Sequence, residues 1–373
     1  MHRNRNIVQG RLWCHGGYVL RLPWNTVVSL KILHLAPLYQ PIRGDMEYGS
    51  IERLVLLLDA GLSAAGHLVV TIARKGSQVA GELVPLDEAC GYADQVKLAC
   101  DLTACSDIDV VQVHRREFFE LGGAAALKRD RLRVRVVATL HGAPDRVRRY
   151  YSSYAGLASF VFVSAAQAAG VPELAGTVIH NAVDLAAVPF SPVPAQPPYL
   201  SFLGRVSSDK GVTEAVALAR RAGLPLRIAG VVQERDRGYF ESAVLPHLRA
   251  GHAEFLGPVR DAAKFELLGG SSALVLLPDH PDPCPVVALE ALATGTPVLA
   301  LGRGGLPELV ADGVTGLLAR DVPGLVCKLP ALGGISRAAC RAAAAGRFGA
   351  GRLVGDYLAV YRGTSQPFRA SAR

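Results

Sequence analysis

Residues 201–216 read SFLGRVSSDKGVTEAV: an apolar run, a glycine, a short loop holding Arg205 and Lys210, then a helical pattern starting near Gly211 or Val212. A helix N-terminus presents unbonded backbone N–H groups and a partial positive charge, so two cations beside it form a clamp suited to a diphosphate. The stretch is not a Walker loop, because G-x-x-x-x-G-K-[ST] is absent from it. Alone it leaves a second reading open, in which Ser207, Ser208 or Asp209 caps the helix and both cations are solvated.

Around this stretch, apolar runs alternate with helical patterns. YLSFLG (199–204), LRIAG (226–230), AEFLG (253–257), ALVLLP (273–278), PVLAL (297–301) and GLLA (316–319) read as strands separated by helices. An earlier series begins at Lys31 with KILHLAPL and continues through HLVVTIA, DIDVVQVH, RVRVVATLHG, SFVFVS and TVIHNAVD. Short apolar strands separated by helices imply parallel sheets covered on both faces. VPFSPVPAQPP, residues 188–198, interrupts the alternation and reads as a stiff interdomain linker.

The fold class is therefore α/β, with two doubly wound Rossmann-like domains. The expected divisions are an N-terminal extension over 1–30, one domain over 31–187, the linker, a second domain over 199–345, a C-terminal helix over 346–363 and a disordered tail over 364–373. Open parallel sheets bind ligands at the carboxyl ends of their strands, so sites are expected in the loops that follow strands, in a cleft between the domains.

The chain has 373 residues, half of them apolar, which is enough for two ordinary cores. Its formal net charge of +8 is densest between His114 and Tyr150, which favours anionic ligands in general, although a solvated helical face explains most of those arginines equally well. Seven scattered cysteines show no CxxC pair and no metal spacing, and fit a reducing compartment, most of them as small buried residues. No stretch reads as a transmembrane helix. Residues 1–30 are basic and aperiodic, lack the apolar core of a signal peptide, and read as an upstream extension from a misassigned start codon.

PDHPDPCPVVALEALATGTPVLAL (278–301) runs from a strand through a proline-rich acidic loop into a helix. Asp282 and Glu290, eight residues apart, could accept hydrogen bonds from sugar hydroxyls, or could be capping and solvated carboxylates. GRGGLPELV (302–310) follows the next strand, and its glycines permit close backbone approach to a ligand.

FLGRVSSDKG, DPCPVVALEALATGTPVLAL, GGLPELV and DGVTGLLA, in this order and spacing, resemble the C-terminal half of family-four glycosyltransferases, which are retaining, nucleotide-sugar-dependent enzymes of the GT-B fold. KILHLAPLYQP, YGSIERLV, LSAAGHLVVTIA, DVVQVH, ATLHGAPD, FVFVSAAQ and VIHNAVD fall where the pieces of the family's N-terminal half fall. The resemblance spans roughly Lys31 to Arg362.

The resemblance implies that Arg205 and Lys210 grip the donor diphosphate, that Glu290 contacts the nucleotide ribose and that Asp282 faces the donor sugar. It also assigns Gly204, Gly230 and Val286 to the donor pocket. Gly49 and Ser50 would lie on the acceptor side with His141, which matches a histidine near the donor's reactive centre. The implied reaction moves a hexose from a nucleotide-diphosphate sugar to an acceptor hydroxyl with retention and without a metal or other cofactor. In it the diphosphate leaves from the face the hydroxyl attacks, no dedicated base is named, and the linker and C-terminal helix carry domain closure.

Four positions depart from the family pattern. Asp282 replaces a longer glutamate, Cys284 and Pro285 replace an aromatic residue and a glycine, and Ser50 replaces the second glycine of a pair. Pro285 would remove a backbone donor. His114 is a weaker site candidate than His141. His34 and His180 are expected to be structural, with Asn181 and Asp184 as turn formers.

The acceptor is open among a sugar, a lipid and a small metabolite. The expected setting is cytoplasmic, with peripheral membrane contact compatible with the basic acceptor domain. Alternatives are a nucleotide-sugar epimerase of the same architecture and a non-catalytic nucleotide-sugar-binding relative. A nucleic-acid partner is not expected, because the basic cluster has no aromatic platform. Asp107-Ile-Asp109 matches the D-x-D of metal-dependent transferases but precedes its strand, and reads as structural.

Overall fold

A computed structural model describes residues 29–46, 49–130 and 132–368. The expected N-terminal extension lies outside the described residues apart from Ser29 and Leu30. Two all-parallel sheets organise the chain. The first, among the described residues, contains β1 (Lys31–Leu35), β2 (Leu68–Arg74), β3 (Glu82–Leu86), β4 (Val110–Val113), β5 (Arg135–Leu140), β6 (Ser159–Phe162) and β7 (Gly176–Val178), in the order β3-β2-β1-β4-β5-β6-β7. The second contains β8 (Leu200–Leu203), β9 (Leu226–Ala229), β10 (Ala253–Gly257), β11 (Ala273–Leu276), β12 (Val298–Leu301) and β13 (Gly316–Ala319), in the order β10-β9-β8-β11-β12-β13.

In each sheet the strand order reverses direction beside the first strand, and crossover helices cover both faces. That is why VVQV and VLAL are buried throughout rather than alternating in and out. The helix Ser50–Ala64 turns Leu54, Val55, Leu58 and Leu62 inward at helical spacing. β3 escaped the sequence reading because ELVPL carries Pro85, which cannot donate to a ladder. The structure tolerates it at the sheet edge, where β3 pairs with β2 alone.

Three expectations about the connections need correction. The closing segment is two helices, Arg337–Phe348 and Ala350–Arg362, separated at extended Gly349, so Gly346, Arg347 and Phe348 belong to the earlier one. The second helix returns to the first domain: Leu353, Tyr357 and Val360 share a core with Ile32, Leu58 and Val137. There Tyr357 Oη lies 2.7 Å from Thr139 Oγ1, and Tyr361 donates to Gln112 Oε1 at 3.0 Å.

The linker is fastened to the second domain rather than hinged between the two. Ser191 N donates to Thr294 O and Ala195 N to Gly270 O, each at 2.9 Å. Arg337 and Arg341 hold the carbonyls of Ser191 and Val188. The tail is ordered through Phe368, whose amide donates to Gly176 O at 2.8 Å and whose ring packs on the first domain's core. Residues 369–373 are outside the described residues.

Of the six described cysteines, Cys284 and Cys340 are buried and Cys105 and Cys327 are exposed, so burial is not their common property; Cys14 is outside the described residues. Among the described residues, no helix is long and apolar enough to cross a membrane.

Candidate donor cleft

The carboxyl ends of the two sheets face a shared cleft of about 650 Å³. Gly49, Ser50 and His141 line it from the first domain. Gly204, Arg205, Lys210, Gly230, Asp282, Val286 and Glu290 line it from the second. The fold thus gathers in one cavity every residue assigned to the site from the sequence.

The cation loop is shaped by three glycines. β8 and β9 leave the sheet through Gly204 and Gly230, at φ 157 and 152, and a Cβ on Gly230 would collide with the carbonyl of Gly204. Ser208–Lys210 form a single tight turn, and Gly211, at φ 70, starts the helix Val212–Ala222. A Cβ on Gly211 would strike the Leu277 carbonyl. No side chain caps this helix, which removes the reading of Ser207, Ser208 or Asp209 as its cap.

Both cations are held by carboxylates. Arg205 Nη1 donates to Asp236 Oδ2 at 2.9 Å and Nη2 to Asp209 Oδ2 at 2.8 Å. Lys210 Nζ lies 3.0 Å from Asp282 Oδ2. Burial works against charge on Asp209, but the Ser207 hydroxyl, Arg205 and Lys210 together hold its carboxyl below the usual range. Asp236, on the turn Glu234–Asp236 after β9, had no signal in the sequence beyond its acidity.

The acidic loop closes against the glycine loop 302–305. Gly305 N donates to Asp282 O at 3.0 Å, and Asp282 Oδ1 accepts from Cys284 N at 3.3 Å. Pro285 is the residue before the helix Val286–Thr294, whose first internal bond runs from Ala288 N to Pro285 O. The missing proline N–H therefore lies outside the helix tip. Val286 and Val287, both lining the cleft, keep the unbonded amides of a first turn. Burial pushes the Cys284 thiol up to about 12, so it acts as packing.

Glu290 is paired with Lys264, which the sequence reading missed: Lys264 Nζ lies 2.6 Å from Glu290 Oε1, with both side chains less than one-tenth exposed. The legible signal was Glu290 itself. A glutamate alone in VVALEALAT is buried with that helix and demands a cation from elsewhere.

On the first domain, Gly49 precedes the helix Ser50–Ala64 at φ 143, where a Cβ would crowd the Glu52 and Gln40 side chains. His141 follows β5, and its Nε2 lies 3.1 Å from His114 Nδ1. His114 in turn contacts His34, so the weaker candidate and the supposed structural residue belong to one chain of rings.

His180 and Asn181 do more than form a turn. Glu308 Oε2 lies 2.8 Å from His180 Nε2, and the same carboxylate accepts the amides of Ala165 and Ala166. Asn181 Nδ2 donates to Cys284 O at 2.9 Å. These bonds clasp the second domain to the first. Asp184 does form a turn, accepting from Ala186 N.

The D-x-D motif sits at the amino ends of the strands, away from the cleft, with Asp109 accepting Lys31 N at 2.8 Å. Among the described residues, no cluster of three His, Cys, Asp or Glu side chains could hold a metal ion.

Two Rossmann-like domains meeting at a cation-lined cleft define the GT-B architecture. Comparison with known proteins agrees along most of the chain. The model for Glycosyltransferase Family 4 matches residues 51–187, and that for Glycosyl transferases group 1 matches residues 187–322. The chain belongs to glycosyltransferase family 4.

Among curated relatives, a glycogen synthase of Mycobacterium tuberculosis is 35% identical over 213 residues, 51% of this chain and 50% of its own. A GDP-mannose-dependent alpha-mannosyltransferase of Mycolicibacterium smegmatis is 37% identical over 134 residues, 36% of this chain and 33% of its own. The chain thus matches half or less of the length of these relatives. Among solved structures, AviGT4, a glycosyltransferase involved in avilamycin A biosynthesis, superimposes with a TM-score of 0.68 at 24% identity, covering 89% of this chain and 97% of its own. HepE of Anabaena, solved with UDP-glucose, gives 0.68 at 17% identity over 89% of this chain and 100% of its own. At these identities the likeness shows the fold.

Proposed function

We propose that the chain is a retaining glycosyltransferase that moves a hexose from a nucleotide-diphosphate sugar to an acceptor hydroxyl. The observation that carries this reading is the placement of Arg205 and Lys210 beside the tip of the helix Val212–Ala222, inside the cleft and across from His141. As the glycosidic bond breaks, negative charge gathers on the departing diphosphate. Two cations and aligned amides stabilise that charge more than they stabilise the ground state, which is what lowers a barrier.

Asp209, Asp236 and Asp282 hold those cations. An entering diphosphate exchanges carboxylate partners for phosphate oxygens, so the clamp is formed but occupied by its own chain. Asp282, released from Lys210, is then available to sugar hydroxyls, and Glu290, steadied by Lys264, to the ribose. Retention follows from the family resemblance: the acceptor attacks on the face the diphosphate leaves, and the leaving phosphate takes the proton. The clamp supplies the neutralisation that a metal supplies in other transferases, and the reaction is proposed to need none. The acceptor enters from the side of Gly49 and Ser50 as a sugar, lipid or small metabolite, with the basic surface of the first domain able to meet a membrane.

The experiment is a thermal-shift screen with UDP-, GDP-, ADP- and TDP-sugars, followed by titration of the best donor into Arg205→Ala and Lys210→Ala. Each variant should bind the donor roughly 10- to 100-fold more weakly, the loss of a charge-assisted contact, and should lose transfer with it. Transfer or donor hydrolysis at the unaltered rate in either variant would end this reading. Donor binding with no turnover of any acceptor would instead favour a binding protein.

A further inference from the structure

Three adjacent strands each bring a histidine toward one point. His34 lies in β1, His114 follows β4 and His141 follows β5, and β1, β4 and β5 are neighbours in the sheet. His34 Nε2 lies 2.7 Å from His114 Nε2, and His114 Nδ1 lies 3.1 Å from His141 Nε2. His34 and His114 are buried, and only His141 reaches the cleft. Nothing in the proposed reaction uses the two inner rings.

A neutral imidazole carries one N–H and one lone pair. Burial lowers His34 to about 4 and His114 well below its ordinary value; burial, helped by Arg115, lowers His141 to about 3. All three are therefore neutral near pH 7. Because His114 bonds through both nitrogens, its single proton sets the direction of both bonds. Only two neutral patterns exist. In one, His34 donates to His114, which donates to His141, and His141 carries its proton on Nδ1. In the other every bond is reversed, and His141 Nδ1 is a bare lone pair.

The inner end of the chain selects between them. Asp59, on the helix Ser50–Ala64, is fully buried, and its carboxylate accepts from Thr71 Oγ1 at 2.7 Å, Ala80 N at 2.7 Å and Gly81 N at 2.8 Å. Thr71 is on β2, paired in register with His34 on the side of β1 opposite β4. The Asp59 charge raises the proton affinity of His34. His34 Nδ1, the nitrogen not used toward His114, is buried with no hydrogen-bond partner. An unbonded N–H there carries a cost, which the charge of Asp59, bonded to the register neighbour Thr71, offsets, whereas the same charge disfavours leaving a lone pair there.

We propose that Asp59, His34 and His114 are positioning residues that hold the proton of His141 on Nε2, leaving its Nδ1 lone pair to accept a hydroxyl of the bound sugar. The last clause rests on the nucleotide-sugar reading of the cleft; the tautomer pattern does not.

The test uses the full chain labelled with 15N-histidine and long-range 1H–15N spectra near pH 7.5 without ligand, each ring being assigned from single histidine variants. The expected pattern is a proton on Nδ1 of His34, on Nε2 of His114 and on Nε2 of His141. Asp59→Asn keeps the shape and the acceptor for Ala80 and Gly81 but loses the charge, and should move the His114 proton toward Nδ1. The same variant should bind UDP-glucose, or GDP-mannose if that is the donor, roughly 5-fold more weakly, while UDP or GDP binds as before. A proton on Nδ1 of His114 in the unaltered protein overturns the proposal, as does a pattern that Asp59→Asn leaves unmoved. The wild-type spectrum decides even if Asp59→Asn does not fold. Failure of every sugar nucleotide to bind would count against the functional reading and leave the tautomer result standing.

Discussion

Lys210 and Asp282, both on the second domain's side of the cleft, form an ion pair, 3.0 Å from Nζ to Oδ2, although the proposed function gives one to the phosphate clamp and the other to the sugar side. In the proposed function a bound donor has to displace this pair to reach either group. A chain with the longer glutamate could reach the sugar at a different angle; here the shorter arm stops at the lysine.

Asp282→Asn should therefore separate two effects. Freed from its carboxylate, Lys210 should bind nucleoside diphosphate roughly 2- to 5-fold more tightly, the scale of a partly exposed ion pair. Sugar transfer should fall, because the amide is a poorer acceptor for hydroxyls. Isothermal titration of UDP, GDP and ADP checks the first half. Weaker diphosphate binding in the variant would contradict the competition.

Lys264 and Glu290 make a second, drier pair. Lys264→Met should destabilise the chain by about 3–5 kcal/mol in urea unfolding, since it strands a buried charge. Adding Glu290→Leu should restore most of that stability while donor affinity stays low. If the double variant is as unstable as the single one, the loss comes from packing rather than charge.

The chain of three histidines predicts a particular acid response. Their folded values lie below the ordinary 6.5, at about 4 for His34 and about 3 for His141. The unfolded chain therefore takes up protons first. The stabilisation is complete above pH 6.5 and is lost as pH falls toward those lower values, at up to about 1.4 kcal/mol per pH unit for each ring. Urea midpoints measured from pH 7 to pH 5 should drop steadily, and a flat profile would show that the rings are not buried and neutral.

Gly211→Ala tests the shape of the cation loop. At φ 70 an alanine is strained by about 1–2 kcal/mol, and its Cβ meets the Leu277 carbonyl besides. The expected result is a stability loss above about 2 kcal/mol together with weakened donor binding. Gly223→Ala is the comparison: φ is 65 there, but nothing lies within 4 Å of the added Cβ, so it should cost strain alone and leave binding intact.

Glu308 offers a last prediction, about the clasp between domains. Burial raises its carboxyl, but His180 and the amides of Ala166 and Ala165 outweigh that and hold it below 4.5. Its contribution is present above the ordinary carboxylate value and is lost as pH falls below it. Glu308→Gln should remove this acid-dependent step and loosen the domains at every pH, seen as faster amide exchange at Ala165 and Ala166. Unchanged exchange would place the clasp elsewhere.

Much of this molecule was legible in local chemistry. Apolar runs such as VVQV and VLAL announce parallel strands because they are buried on both faces. Arg205, Lys210, Asp282 and Glu290 fall in loops or helix starts just after strands, where an α/β sheet must put its site. What sequence order could not supply was partnership across distance. Asp236 reaches Arg205 from another loop, Lys264 reaches Glu290 from another helix, and His34, His114 and His141 touch only because strand order makes β1, β4 and β5 neighbours. Periodicity reports which face of an element is buried; it carries no information about which element lies opposite. Buried charges and rings acquire their protonation and their partners from that opposite side, so only the folded chain decides them.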